Sequence, residues 1–208
     1  MALAFLLVLA YLLGSLPTSL LVVRWRLNVD LREYGSGNAG ATNVSRLLGW
    51  GWGIGVIVVD LLKGVLAVAL LPLLLNTPGD PLTTHALAGL ACVLGHVFPV
   101  YAGFRGGKGV ATAAGVCLAL SPGPALVALG VFLVVLFLMR YMFLASLSGG
   151  AAYFVSSLFV FHNRGMLGLL AVVLPLALVW LHRRNISRFR QGLEQKIGNR
   201  IPVEKKQP

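Results

Sequence analysis

Residues 1–23, MALAFLLVLAYLLGSLPTSLLVV, contain no charged side chain, and residues 51–75, GWGIGVIVVDLLKGVLAVALLPLLL, carry only Asp60 and Lys63. A helix of about 20 apolar residues covers a hydrocarbon core of roughly 30 Å, so each stretch is long enough to cross a bilayer. The whole chain agrees: 58% of its 208 residues are hydrophobic and 11% are charged, less than half the charge of a soluble domain. The expectation is an all-α integral membrane protein, a single domain over residues 1–208. The net charge of +11 then reads as positive charge gathered on cytoplasmic loops and not as a nucleic-acid surface.

The positions of the charges predict a topology. The first apolar run is followed at once by Arg24 and Arg26. It lacks the basic start and short core of a cleaved signal, so it reads as a retained helix with its N-terminus outside. NTPGDPLTT at 76–84 has no cation and reads as external, whereas Arg105, Lys108 and Arg140 mark internal turns. Residues 109–139 are uncharged between two internal sites and must fold back, with SPGP at 121–124 as the natural turn. Each arm has only about 15 residues, barely a crossing at 1.5 Å per residue, so thinning or water entry is expected there. Two further crossings, 141–161 and 165–181, bring the total to seven helices, with residues 191–208 a cytoplasmic tail. Of 17 Lys and Arg, 15 fall on the internal side, leaving Arg164 outside and Lys63 within a helix.

Three polar stretches lie at the predicted cytoplasmic surface. In GSGNAGATNVSR, Gly35, Gly37 and Gly40 have the G-x-G-x-x-G spacing of a dinucleotide loop, and Asp60 stands about 20 residues on. That reading needs a soluble strand–loop–helix unit, and Asp60 instead lies inside a membrane-length run. What remains is a loop whose glycines let backbone N–H groups turn to one side, with Ser36, Asn38, Thr42 and Asn43 as short polar groups and Arg46 as a charge, a composition suited to phosphate. In FRGGKGVAT, a helix starting at Val110 aims its positive end at the spot reached by Lys108. G-x-x-x-x-G-K-[ST] is not satisfied, since position 102 is Ala and Gly109 follows Lys108. Arg105 alone reads as a positive-inside residue. In HRRNISRFRQGLEQK, Arg183, Arg184, Arg188 and Arg190 read as headgroup anchors. His182 and Asn185 are the better functional candidates and share a face if the helix continues.

No metal site is expected. His85 and His162 fall outside and His96 and His182 inside, no H-x-x-x-H or C-x-x-C occurs, and Cys92 and Cys117 read as packing residues. Asp60 and Lys63, one turn apart, are expected to pair within the second helix.

These stretches resemble the bacterial acyl-phosphate:glycerol-3-phosphate acyltransferases, the PlsY family. GSGNAGATN, LGHVFPVYAGFRGGKGVAT and HRRNISRFRQGLE are similar to its three cytoplasmic motifs in order, joined by LLGSLP and DLLKG. Ala39 stands where proline is common and Arg105 where lysine is common. The resemblance implies a multi-pass protein of the bacterial inner membrane with a cytoplasmic active site. It implies transfer of a fatty acyl group from a long-chain acyl phosphate to the 1-hydroxyl of glycerol 3-phosphate, giving lysophosphatidic acid and phosphate, without cofactor or metal. It also implies membrane lipids as surroundings and a functional link to the enzyme that makes acyl phosphate. Carried over by position, the site comprises Ser36 and Arg46, then Gly106, Gly107, Lys108 and Gly109, then His182 and Asn185, while Glu194 matches an acidic position of the third motif; Gly37, Asn38, Thr42, Asn43 and Arg105 are added as candidate substrate contacts.

An H-x-x-x-x-D box is absent, because Leu90, Tyr101, Leu167 and Ser187 follow the four histidines at that distance. An acyl phosphate brings its own leaving group, so direct attack by the glycerol hydroxyl is expected, helped by positioning and by stabilising the departing phosphate. The proton goes either to the donor's phosphate or to neutral His182; the first is preferred because no carboxylate orients this histidine in the sequence. A transporter of organophosphates is disfavoured by polar motifs gathered at one surface instead of mid-membrane. A metal-dependent head-group transferase is disfavoured by aspartates only at 30, 60 and 80.

Overall fold

The computed structural model describes residues 1–75 and 80–202. It is built from helices α1 (Ala2–Ser15), α2 (Thr18–Leu27), α3 (Ala41–Leu48), α4 (Trp50–Ala69), α5 (Leu71–Leu75), α6 (Pro81–Val97), α7 (Val110–Leu120), α8 (Pro122–Met139), α9 (Met142–Val155), α10 (Gly165–Leu181) and α11 (Arg183–Arg190). Short 3₁₀ turns and one π turn after α9 complete it, and no strand occurs among the described residues.

Five helical stretches are long and apolar enough to cross a membrane: Ala2–Leu27, Trp50–Leu75, Pro81–Ala102, Pro122–Met139 and Met142–Val160. A sixth is reached if α10 and α11, bent by 50°, form one broken span. This falls short of seven evenly built helices. The difference lies in residues 109–139, where the SPGP turn is not a four-residue link. Only Ser121 breaks the helix, and Pro122, Gly123 and Pro124 form the first turn of α8. Proline fits there because its fixed φ is helical and the N–H it lacks has no intrahelical partner in a first turn. The arms are therefore unequal, α7 having 11 residues and α8 having 18.

Helix packing follows the rule for membranes, where close backbone approach substitutes for a hydrophobic driving force. Along α1 and α6 a Cβ on residue 14 would stand 2.0 Å from the Cys92 carbonyl oxygen, and one on residue 95 would stand 2.1 Å from that of Tyr11. The same reciprocal arrangement joins α4 and α7 through Gly64, against Thr112, and Gly115, against Leu61. Buried Leu6, Ala10, Ala67, Ala88 and Cys92 fill the space among α1, α4 and α6. Ala113, Cys117, Tyr153, Leu170 and Leu174 fill that among α7, α9 and α10. Cys92 and Cys117 are free and buried, in the packing role expected of them. Pro124 is the one buried residue of α8, so that helix presents its apolar surface outward.

Pro17 restricts Leu16 to extended backbone (ψ 111°) and breaks the first span into α1 and α2. The expected cytoplasmic tail is not a loose appendage over its described part. Residues 191–202 run back over the polar ends of the helices, the Ile197 N–H donating to the Arg140 carbonyl at 2.8 Å and the Ile201 N–H to that of Arg46 at 3.1 Å. Residues 203–208, and 76–79 of the expected external break, lie outside the described residues.

Candidate active site

The first loop is shaped by its own side chains. Asn43 is buried, its Oδ1 accepts the Ser36 N–H at 3.3 Å, and its Nδ2 donates to the carbonyls of Leu31 (3.2 Å) and Tyr34 (2.9 Å). Its amide is thereby occupied in holding the loop closed. Gly35 and Gly37 take positive φ (59° and 69°), the freedom the turn requires. Arg32 pairs with Asp30 at 2.7 Å and donates to the Ala102 carbonyl at 2.9 Å, tying this loop to the second. The Arg32 guanidinium holds the Asp30 carboxyl below the usual carboxylate range. Ser36, Asn38 and Thr42 remain half-buried at the loop surface.

The second loop folds back on the end of α6. The N–H groups of Gly106 and Gly107 donate to the carbonyls of Val97 and His96, both at 3.2 Å, and so are engaged in loop structure. Gly109 takes φ +71° as the residue before α7. Lys108 emerges between these fixed points, and its Nζ donates to Asn185 Oδ1. Arg105 is exposed and lies close enough to Asp30 for its charge to act there, so it is not part of the Lys108 cluster.

The third stretch does not continue α10 straight. The chain bends by 50° at His182, so His182 and Asn185 do not share the face of one helix; the bend buries both. His182 Nδ1 is 2.8 Å from the Leu178 carbonyl oxygen. A carbonyl only accepts, so Nδ1 carries the proton and Nε2 presents a lone pair. Asn185 Nδ2 donates to Glu194 Oε1 at 2.7 Å, and Arg188 Nε donates to Glu194 Oε2 at 2.7 Å. Arg46 is buried, donates to the Gln195 carbonyl at 3.3 Å and has no partner at Nε among the described residues.

Arg46, Lys108, Arg188 and Glu194 are thus near neighbours drawn from all three stretches, three cations against one carboxylate. The excess of two positive charges equals the charge of a phosphate dianion. Burial, with Arg188 and Arg46 alongside, lowers the Lys108 ammonium to about 8, and Glu194 acts in the opposite direction. Burial likewise lowers Arg46. Arg188 is the member that sequence reasoning places among headgroup anchors. Its signal is its spacing, one turn after Asn185 on α11, while Arg183, Arg184 and Arg190 point outward. Arg183 does behave as an interfacial residue, its guanidinium 4.2 Å from the Trp180 ring centroid.

Membrane-length helices that close three polar loops over a cation cluster define an integral membrane protein with a candidate anion site at one end of its bundle. Comparison with known proteins narrows this. Residues 4–192 match the family Glycerol-3-phosphate acyltransferase. The chain is 43% identical to glycerol-3-phosphate acyltransferase 2 of Bacillus anthracis over 92% of its length and 97% of the relative's. It is 44% identical to the glycerol-3-phosphate acyltransferase of Bacillus velezensis, over 95% and 98%. Its fold superposes with a TM-score of 0.85 on the crystal structure of PlsY (YgiH), an integral membrane glycerol 3-phosphate acyltransferase, in its glycerol 3-phosphate form, at 39% identity over 95% of this chain and 96% of that one. The lysophosphatidic acid form of PlsY matches at a TM-score of 0.81 and 38% identity, over 96% and 97%. The chain belongs to the glycerol-3-phosphate acyltransferase family, the PlsY type, and is an acyltransferase of phospholipid biosynthesis.

Proposed function

We propose that the protein transfers a fatty acyl group from a long-chain acyl phosphate to the 1-hydroxyl of sn-glycerol 3-phosphate, releasing 1-acyl-glycerol 3-phosphate and phosphate. The observation that carries this reading is the cluster of buried Arg46 with half-buried Lys108 and Arg188 around the Glu194 carboxylate, matched in charge to a phosphate dianion. In the reaction the hydroxyl oxygen bonds to the acyl carbon and the acyl–phosphate C–O bond breaks. Phosphate leaves with the bonding pair, and the hydroxyl proton passes to a phosphate oxygen. Arg46, Lys108 and Asn185 stabilise the anionic groups, and Ser36, Asn38 and Thr42 add short polar contacts. His182, with its Nε2 lone pair free, accepts a hydrogen bond from the attacking hydroxyl and orients it. A membrane-dissolved donor suits a site at the helix ends, beside an outward-facing apolar α8.

Under this reading His182→Gln, which keeps an acceptor near the Nε2 position, retains turnover within about tenfold of wild type. A loss of several orders of magnitude in kcat with substrate binding preserved would make His182 the base instead. The donor is tested by incubating purified protein with glycerol 3-phosphate and either palmitoyl phosphate or palmitoyl-CoA, and identifying products by mass spectrometry. Lysophosphatidic acid from the acyl phosphate alone is expected, and formation from the thioester alone would overturn the donor assignment.

Lys108 supplies a pH signature. Its folded pKa lies below the ordinary lysine value, so its cationic form prevails below about 8 and is lost above. Binding a phosphate dianion needs the cation and takes up a proton at higher pH. The KM for glycerol 3-phosphate is therefore expected to rise about tenfold per unit above pH 8, measured as a KM–pH profile. Lys108→Arg abolishes that limb, because guanidinium does not titrate there.

Seven crossings, N-terminus out and C-terminus in, at the bacterial inner membrane remain the topology we propose, with α7 a short crossing packed between α4 and α6 and the active site cytoplasmic. The clustering of Arg46, Arg105, Lys108, Arg140 and Arg188 at one side supports it. A cysteine placed at 164 is expected to react with an impermeant maleimide in spheroplasts, and one at 105 only after lysis; the reverse pattern would invert the orientation.

A further inference from the structure

Beneath the glycine turn that carries Lys108 lies a buried polar cluster outside the anion site. Asp60 on α4 pairs with Lys63 at 2.7 Å, as its spacing predicts, and both side chains are about 5% exposed or less. Lys63 Nζ also donates to the Leu16 carbonyl at 2.7 Å, at the proline break between α1 and α2. His96 Nδ1, on α6, stands 3.8 Å from Asp60 Oδ1 and 3.3 Å from Thr112 Oγ1 on α7. Gly64 and Gly115 bring α4 and α7 close enough for these groups to meet.

The outer edge of the His96 ring supports the loop. A Cβ on residue 107 would stand 2.2 Å from His96 Nε2 and 2.8 Å from the Ala39 carbonyl oxygen, so ring and glycine are in direct apposition. The His96 carbonyl meanwhile accepts the Gly107 N–H at 3.2 Å. One residue therefore grips the turn through both main chain and side chain, immediately before Lys108. Ionisable groups at this depth are costly to bury and need a purpose, and the contact with Gly107 supplies one.

We propose that His96 is a positioning residue for the reaction: braced by Thr112 and the Asp60–Lys63 pair, its ring sets the height of Gly107 and so places Lys108 against the substrate phosphate. The cluster does not touch substrate. It couples the helix break at Leu16–Pro17, through Lys63, Asp60 and His96, to the loop that carries the cation.

The inference rests on the acyltransferase reading for its kinetic arm, so inorganic phosphate binding by calorimetry is measured on the same purified proteins. His96→Ala is expected to raise the KM for glycerol 3-phosphate and the Kd for phosphate by roughly 10–100-fold, as a displaced binding group does. The KM for acyl phosphate changes far less, and the melting midpoint does not account for the loss. Gly107→Ala is expected to impair the enzyme by pushing on the ring. In the His96→Ala/Gly107→Ala double variant the clash with the ring is gone and only that with the Ala39 carbonyl remains, so the combined loss is smaller than the product of the two single losses, whereas independent losses would multiply. Should His96→Ala fold poorly, Thr112→Val, which removes only the hydroxyl brace, is expected to raise the same KM several-fold with normal melting.

Unchanged phosphate affinity and KM in His96→Ala, or multiplicative losses in the double variant, would overturn the proposal. Wild-type protein that binds phosphate yet transfers no acyl group would instead overturn the functional reading, leaving the phosphate-binding comparison to decide the role of His96.

Discussion

Replacing Lys108 by alanine is expected to lower kcat/KM for glycerol 3-phosphate by about 10³-fold, the scale of losing a preorganised charged donor in a water-poor site. The geometry argues for so large an effect. Lys108 is held on both sides, by the Gly106 and Gly107 hydrogen bonds to α6 and by the start of α7 at Val110, so no neighbouring cation can move into its place. Its ammonium faces Asn185, which links it to Glu194 and Arg188. The variant should fold, since a cation already disfavoured by burial and by Arg46 and Arg188 is not what stabilises the bundle. Steady-state kinetics with a melting control separates the two effects. Full activity in a well-folded Lys108→Ala protein would remove the cluster from the mechanism.

Glu194→Ala is expected to act on folding first. Both carboxylate oxygens are engaged, one by Asn185 and one by Arg188, each at 2.7 Å, and the side chain is 5% exposed. Removing it leaves Arg46, Lys108 and Arg188 facing one another without a counter-charge. Glu194 is buried but the Arg188 side chain is 33% exposed, so breaking the pair costs less than a fully buried one would, about 1–3 kcal/mol, which corresponds to a drop on the order of 5 °C in melting midpoint. It also frees residues 191–202, whose path over the site depends on Glu194 and on the bonds to Arg46 and Arg140. Because a carboxylate repels phosphate, Glu194 is expected to serve the substrate by ordering the cations around it. Thermal melting in detergent, with and without phosphate, reads this directly, and phosphate should recover part of the loss by supplying the missing negative charge. A Glu194→Ala protein that melts like wild type but binds glycerol 3-phosphate poorly would assign the residue to substrate contact instead.

The membrane class, the main helices and the residues that converge on the site were legible because each leaves a local mark. Uncharged runs mark the helices, and Arg46, Lys108, His182 and Asn185 sit within short polar stretches that no lipid-facing segment would tolerate. What was not legible depended on geometry between segments. SPGP reads as a turn by composition, yet its prolines fit the first turn of α8, and this made the two arms unequal. His182 and Asn185 share a face only if the helix continues, and a 50° bend at His182 buries them by another route. Arg188 was hidden among four arginines of one basic helix, because which of them turns inward depends on where Glu194 comes to rest after the tail folds back. The roles of Asn43, Gly106 and Gly107 as loop braces depend on partners 7 to 12 residues away in one case and on the end of α6 in the other.

The most direct test of the acyltransferase account is phosphate release by the purified protein in lipid, given palmitoyl phosphate with and without glycerol 3-phosphate. The account predicts release that requires the acceptor, equals the lysophosphatidic acid formed and disappears in Lys108→Ala. Absence of release, together with uptake of labelled glycerol 3-phosphate into liposomes carrying the protein, would contradict it and make the cation cluster part of a transport path.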